Sequence, residues 1–281
     1  MKKKAWSRWI LALAVVWPCM AVARDRVREK ENFDFDWKFI LNADDRANAG
    51  MQVSEAGWQD VQLPHDWSIS QDFNPKLSGS NGHLPGGIGW YRKTFRVDKE
   101  DKGRRIAVLF DGIYSRSDVY VNGQHLGFRP YGFCYQEYDL TPYLNYGAEN
   151  VLAVRVNNPL EHDSVARWYT GAGIYRHAWL VKTAEVHVAS YGTYVTTPVV
   201  TAERAEVRVR TSVANEAERT KTLSVRQQIT DGEGRTVVQS GKQALQVAAG
   251  QTADTEHTLK IPRPQLWDTE HPYLYTLHTA V

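Results

Sequence analysis

Ten residues, Arg167 to Arg176 (Arg-Trp-Tyr-Thr-Gly-Ala-Gly-Ile-Tyr-Arg), hold the densest recognition chemistry in the chain. Trp168, Tyr169 and Tyr175 offer flat apolar faces with polar tips, and Arg167 and Arg176 offer forked donors. Together these suit a polyhydroxylated ligand such as a sugar. Gly171 and Gly173 permit backbone angles closed to other residues and let chain or ligand come close. The same composition also describes an aromatic turn filling the core and rim of a β-sandwich, so residue types alone leave both readings open.

Other groups invite chemistry more weakly. His65-Asp66 could serve acid/base work, but following Pro64 it reads better as a pair that pins a turn. Glu161-His162-Asp163 reads as a solvated loop, because a metal site needs further spaced ligands. Cys134, between Phe133 and Tyr135, is expected to be a buried small apolar residue rather than a nucleophile.

The elements that must position these groups are strands. Phe33 to Phe39 alternates aromatic with charged residues, the period of a strand with one buried face. Trp58, Val61 and Leu63 lead into Pro64, and the glycine-rich stretch from Gln71 to Gly89 reads as a long loop. Strand character resumes at Trp90, returns in Ile106, Val108 and Phe110, and runs through Val119-Tyr120-Val121 into the hairpin signal Asn122-Gly123. Leu152, Val154 and Val156 alternate again, and no amphipathic helix of three turns stands out. Many short strands punctuated by Gly, Pro and Asn predict an all-β fold, a sandwich or jelly roll.

A change in composition divides the chain. Of the seven tryptophans after residue 23, six precede Val181 and only Trp267 follows. Beyond about Ala184 the sequence is rich in Val, Thr and Gln with plain alternation, and Asp231-Gly232-Glu233-Gly234 makes a turn. This predicts a jelly-roll domain over 33–183 and an immunoglobulin-like sandwich over 184–281. The final residues, Tyr275 to Val281, read as a strand interrupted mid-course, from which a truncated chain is expected.

At the other end, Lys2-Lys3-Lys4, an apolar run from Ile10 to Met20 and Ala21-Val22-Ala23 have the three parts of an export signal, with cleavage expected after Ala23. The run is short for a membrane span, and Trp17-Pro18 ahead of Cys19 weaken a lipoprotein reading. A secreted or periplasmic protein is therefore expected, with residues 24–32 an exposed leader and order beginning near Phe33. Removal of the signal leaves Cys134 alone, which excludes an intramolecular disulfide. The net charge of +2, with both signs interspersed, argues against nucleic acid as a partner.

The segment Arg167 to Arg176, continuing to Trp179-Leu180, resembles the signature that closes the N-terminal sugar-binding domain of family 2 glycoside hydrolases, the β-galactosidase and β-glucuronidase group. Leu63-Pro64-His65-Asp66-Trp67, Gly87-Ile88-Gly89-Trp90-Tyr91-Arg92-Lys93 and Phe110-Asp111-Gly112-Ile113-Tyr114-Ser115 agree in order and spacing, as does Val119 to Gly123. The resemblance implies a jelly-roll domain, then an immunoglobulin-like one, and a retaining hydrolase whose two catalytic glutamates stand on a (β/α)8 barrel. Such a barrel needs about 250 residues, so no catalytic residue and no cofactor or metal is expected within this chain, and the catalytic domain is its expected partner. Asn215-Glu216 mimics the family's Asn-Glu pair, but it closes a strand of the second sandwich and reads as a turn.

What the resemblance leaves to this chain is substrate contact with a galactoside or related glycan. Arg167 stands where β-galactosidases of the family carry an aspartate that touches sugar and a cation, which puts the family's sodium site in doubt. Arg167, Trp168, Tyr169 and, in the long loop, Asn81 are the candidate substrate-binding residues. The alternatives are a stand-alone carbohydrate-binding protein and the same portion of a β-glucuronidase, where Arg167 would suit a carboxylate.

Overall fold

A computed structural model describes residues 28–41, 44–79, 82–158 and 168–281. The export signal, Asn81, Glu161-His162-Asp163 and Arg167 lie outside the described residues. The regular structure of the described residues is strand, with short 3-10 turns such as Arg46–Ala49, whose first turn is capped by the Asp45 carboxylate.

Ten strands build the first sandwich. They are β1 (Glu29–Asn32), β2 (Trp37–Leu41), β3 (Gln59–Val61), β4 (Gly87–Arg96) and β5 (Arg105–Phe110), then β6 (Ser117–Val121), β7 (Gln124–Arg129), β8 (Gln136–Asp139), β9 (Glu149–Asn158) and β10 (Ala178–Thr183). One sheet has the order β3-β2-β4-β9-β6-β7 and the other β1-β10-β5-β8, with every pairing between named strands antiparallel. Inward positions at period two make the core between them: Trp37, Phe39, Tyr91, Val119 and Val154 meet Ile106, Val108, Phe110 and Leu180. Asn122 (φ 50°) and Gly123 (φ 84°) turn the β6–β7 hairpin, as the Asn-Gly signal predicts.

β4 and β9 are buried on both faces because residues 44–58 fold over the outside of the larger sheet, where Ala49 packs with Trp90, Tyr120 and Ala153. Arg92 holds that cover, donating to the carbonyls of Asn48 (2.6 Å) and Gly50 (2.7 Å) and pairing with Glu55 at 3.0 Å. A buried guanidinium is tolerated here because its N–H groups find acceptors.

The second sandwich follows with β11 (Val186–Val200), β12 (Arg204–Asn215), β13 (Lys221–Thr230), β14 (Thr236–Gln239), β15 (Gln243–Val247), β16 (Gln251–Pro262) and β17 (Thr276–Ala280). Its sheets are β11-β12-β16 and β14-β13-β15, with β17 on β13, and Val207, Val209, Ile229, Leu259 and Ile261 fill the space between. The two bodies meet through Arg105, which pairs with Glu137 of its own sandwich and with Glu216 of the next, both at 2.8 Å. The Tyr135 and Tyr191 rings also meet across the junction, tilted by 41° with centroids 4.6 Å apart.

Some expectations change. The supposed leader is an edge strand at 29–32: its side chains are exposed, but its backbone pairs with β10 from Glu29↔Lys182 to Asn32↔Trp179. The alternation at 33–39 does not make one strand, because the chain crosses from one sheet to the other between β1 and β2, with Asp36 at φ 57°. Asp34 is consequently 3% exposed while Phe35 is 52% exposed, the reverse of the simple pattern. Asp34 is satisfied there by the Ala178 N–H (2.8 Å) and His177 Nδ1 (2.7 Å). Strand β4 begins at Gly87, inside the stretch read as loop. Cys134 is half-buried rather than buried, with Sγ near the Tyr131 carbonyl.

Candidate functional site

One end of the first sandwich gathers the loops that carry the aromatic motif. Gly87, Phe110, Ser117, Arg129, Gln136, Asn158 and Ala178 all begin or end strands there. Residues 172–174 thread the middle of this end. Gly173 exchanges both backbone hydrogen bonds with Tyr114 (2.9 and 2.8 Å), while His65 N–H donates to the Ile174 carbonyl (2.8 Å) and Trp67 N–H to that of Ala172 (3.2 Å). Gly173 is required: its φ is +121°, and a Cβ would stand 2.3 Å from the Tyr91 hydroxyl and 2.7 Å from the His65 carbonyl.

Asp66 locks the thread to the loop after the cis Leu63-Pro64 bond. Its Oδ1 accepts from Ser68 N–H (2.9 Å) and Ala172 N–H (3.0 Å), and its Oδ2 accepts from the Tyr169 hydroxyl (2.5 Å). Burial, together with the adjacent Asp66 carboxylate, pushes the Tyr169 phenol far above its ordinary value, so it stays a donor. His65-Asp66 thus pins the turn, as its place after Pro64 suggests. His65 Nδ1 lies 2.8 Å from the Tyr91 hydroxyl, and burial lowers the imidazole pKa despite the opposing charge of Asp66.

Beneath the thread, Trp67 is fully buried against Phe39, and Ser68 Oγ donates to the Pro85 carbonyl at 2.6 Å, tying down the root of the long loop. Trp168 is 67% exposed and Tyr169 40% exposed, with the Tyr169 hydroxyl committed to Asp66. The structure therefore brings Trp168 and Tyr169 together at the exposed rim of this end. Asp66, which fixes Tyr169, escaped sequence reading as part of this rim because its partner lies 103 residues away. The Asn-Glu pair of the second sandwich has no such setting. Asn215 is buried and donates to the carbonyls of Arg219, Val247 and Ala248, and Glu216 is held by Arg105 while burial raises its carboxyl pKa. Among the described residues no group of three or more His, Cys, Asp or Glu side chains is placed to hold a metal.

Comparison with known proteins places this architecture. The model for "Glycosyl hydrolases family 2, sugar binding domain" matches residues 31–184 and that for "Glycosyl hydrolases family 2" matches residues 186–281. The chain belongs to glycosyl hydrolase family 2. Over 262 residues it is 44% identical to the beta-galactosidase BoGH2A of Bacteroides ovatus, covering 90% of this chain and 30% of that protein. It is 33% identical over 281 residues to a beta-glucuronidase of Formosa agariphila, covering 90% of this chain and 28% of the relative. Among solved structures, a family 2 member from Bacteroides cellulosilyticus superposes with a TM-score of 0.80 at 39% identity, covering 89% of this chain and 34% of that one. The chain thus spans about 30% of the length of these curated relatives. The family 2 chain contributes the sugar-binding and following sandwich domains, and its match to both models agrees with the all-β reading.

Proposed function

We propose that this chain is the N-terminal, non-catalytic portion of a retaining glycosidase of β-galactosidase type, in which bond cleavage belongs to a barrel elsewhere in the protein. The observation that carries the reading is the 44% identity to a beta-galactosidase sustained over 90% of the chain. In this reading the rim of Trp168 and Tyr169 borders the catalytic pocket and contacts the galactoside, and Arg167 and Asn81 remain candidate contacts by residue type and place in the sequence alone. Trp168 supplies an apolar face for a sugar ring, and Asp66 keeps Tyr169 from swinging into the space the ring needs. No catalytic residue or metal is assigned to the chain. The Lys2–Ala23 segment exports the protein to the periplasm or beyond, and the jelly-roll description of the first sandwich is part of the same proposal.

The β-glucuronidase reading is favoured by one specific observation, the 33% identical relative of that activity. Hydrolysis by the longer protein of nitrophenyl β-galactoside against nitrophenyl β-glucuronide decides between them: a preference for galactoside supports the first reading, and a preference for glucuronide replaces it. Absence of both activities, with glycan binding retained, would leave a carbohydrate-binding protein.

A further inference from the structure

The second sandwich is open along one flank. β13 carries β14 on one side and β17 on the other, since Gln228, Ile229 and Thr230 pair with both. Among the described residues no strand pairs with the far edge of β17. Backbone direction shows what that edge presents. Gln227 gives its N–H to Ser240 Oγ at 3.0 Å and its carbonyl accepts from Ser240 N–H at 2.9 Å, on the side of β14. Alternation then turns Gln228 and its partner His278 toward each other, and turns the N–H and C=O of Leu277 and Thr279 to the far edge.

The opposing sheet is uncovered at the same flank. Thr193 and Val195 of β11 stand opposite Thr211 and Val209 of β12, both buried inside the sandwich, so they share the inward face. Val195 is nonetheless 46% exposed. Between β11 and β17 lies a cleft of about 1000 Å³, bordered by Val186, Val188 and Val195 on one side and Leu277 and Val281 on the other. Packed interiors hold few voids larger than a water molecule, whose share of the liquid is about 30 Å³. A space of this size between two sheets is room for the side chains of another strand.

We propose that this cleft receives a strand formed by the residues that follow Val281 in the longer protein, turning back to pair with the free edge of β17. The inference rests on the reading of the chain as one portion of a longer protein, of whose curated relatives it spans about 30%. Two features single out this occupant. A free strand edge calls for backbone donors and acceptors at strand spacing, which a small ligand does not offer. A segment joined to Val281 through a tight turn reaches that edge at an effective concentration that a second copy of the chain does not match. The inward side chains of the added strand, at alternate positions, are apolar and cover Val195 and Leu277. The connection to the rest of the protein is then a strand built into the sandwich rather than a free tether.

The test is hydrogen exchange followed by mass spectrometry on the 281-residue chain and on the longer protein, read on peptides that cover β17. In the longer protein the Leu277 and Thr279 amides are expected to exchange about a hundredfold more slowly than in the chain, or slower still. Val195→Asp is expected to speed exchange at these amides at least about tenfold in the longer protein, where the charge would lie beneath the added strand, and to leave them within about threefold in the 281-residue chain. Tyr194→Asp, at an exposed position on the outer face of the same strand, leaves both proteins unchanged. Equal exchange in the two wild-type proteins, or comparable effects of Val195→Asp in both, overturns the inference. Protection in the 281-residue chain that grows with its concentration also overturns it, in favour of a second copy at the edge. Slowed exchange without hydrolysis of either nitrophenyl glycoside leaves the strand standing and sinks the catalytic reading, whereas hydrolysis with equal exchange sinks the strand alone.

Discussion

Replacing Asp66 with alanine strands two buried donors at once. The Ser68 and Ala172 N–H groups both lose their acceptor in a region where Ser68 is 3% and Ala172 0% exposed, whereas Tyr169 can turn its hydroxyl to water. An unsatisfied buried donor costs about 1–3 kcal/mol, so Asp66→Ala is expected to destabilise the first sandwich by about 2–5 kcal/mol. For a domain of this size that lowers Tm by roughly 5–15 °C. Asp66→Asn keeps an oxygen for both N–H groups, and its amide can donate to the Tyr169 oxygen, so it forfeits only charge assistance, about 1 kcal/mol. Thermal unfolding followed by tryptophan fluorescence reads both variants, because Trp67 is buried next to Asp66 and Trp168 lies beside Tyr169. Equal Tm values for the two variants, or an alanine variant within about 1 °C of wild type, would refute the assignment of Asp66 as the lock of the rim.

Three further outcomes follow from other parts of the molecule. Gly173→Ala is expected to cost more than about 3 kcal/mol or prevent folding, given its positive φ and the Tyr91 hydroxyl in its way, while Gly241→Ala, with nothing near its Cβ, stays within about 0.5 kcal/mol by urea denaturation. Burial alone would raise the Asp101 carboxyl pKa, but Lys182 and Arg104 outweigh it and hold it below 3.8, so its stabilisation is present above that value and lost as pH falls through the folded value. Asp101→Asn should therefore cost about 2 kcal/mol at pH 7 and markedly less near pH 3, and a pH-independent gap in urea midpoints would contradict this. Arg105→Met removes the ion pairs to Glu137 and Glu216, and calorimetry should show the two sandwiches unfolding in more separated transitions, with about 1–3 kcal/mol lost from their coupling.

What sequence could and could not show follows from the range of the interactions. Strands from Trp90 to Arg96 and around Val119 were legible because alternation is local, and the Asn122-Gly123 hairpin was legible because its turn demands two positive φ values from adjacent residues. The break at 33–36 was not, since the same alternation serves a chain that changes sheets, and Asp34 is buried only because His177 and Ala178 come to meet it from 143 and 144 residues away. Asp66 was legible as a turn residue and not as the holder of Tyr169, for the same reason of distance. Tyr131, Phe133 and Tyr135 show aromatics on alternate residues in the sequence, but nothing local says that Tyr191 of the second sandwich comes to lie against Tyr135.

The division of labour at the centre of this account is tested most directly by nitrophenol release from nitrophenyl β-galactoside, measured in parallel for the 281-residue chain and for the longer protein that contains it. The account predicts turnover by the longer protein and none above blank by the chain alone. Turnover by the 281-residue chain, abolished by substitution of one of its own carboxylates, would contradict it.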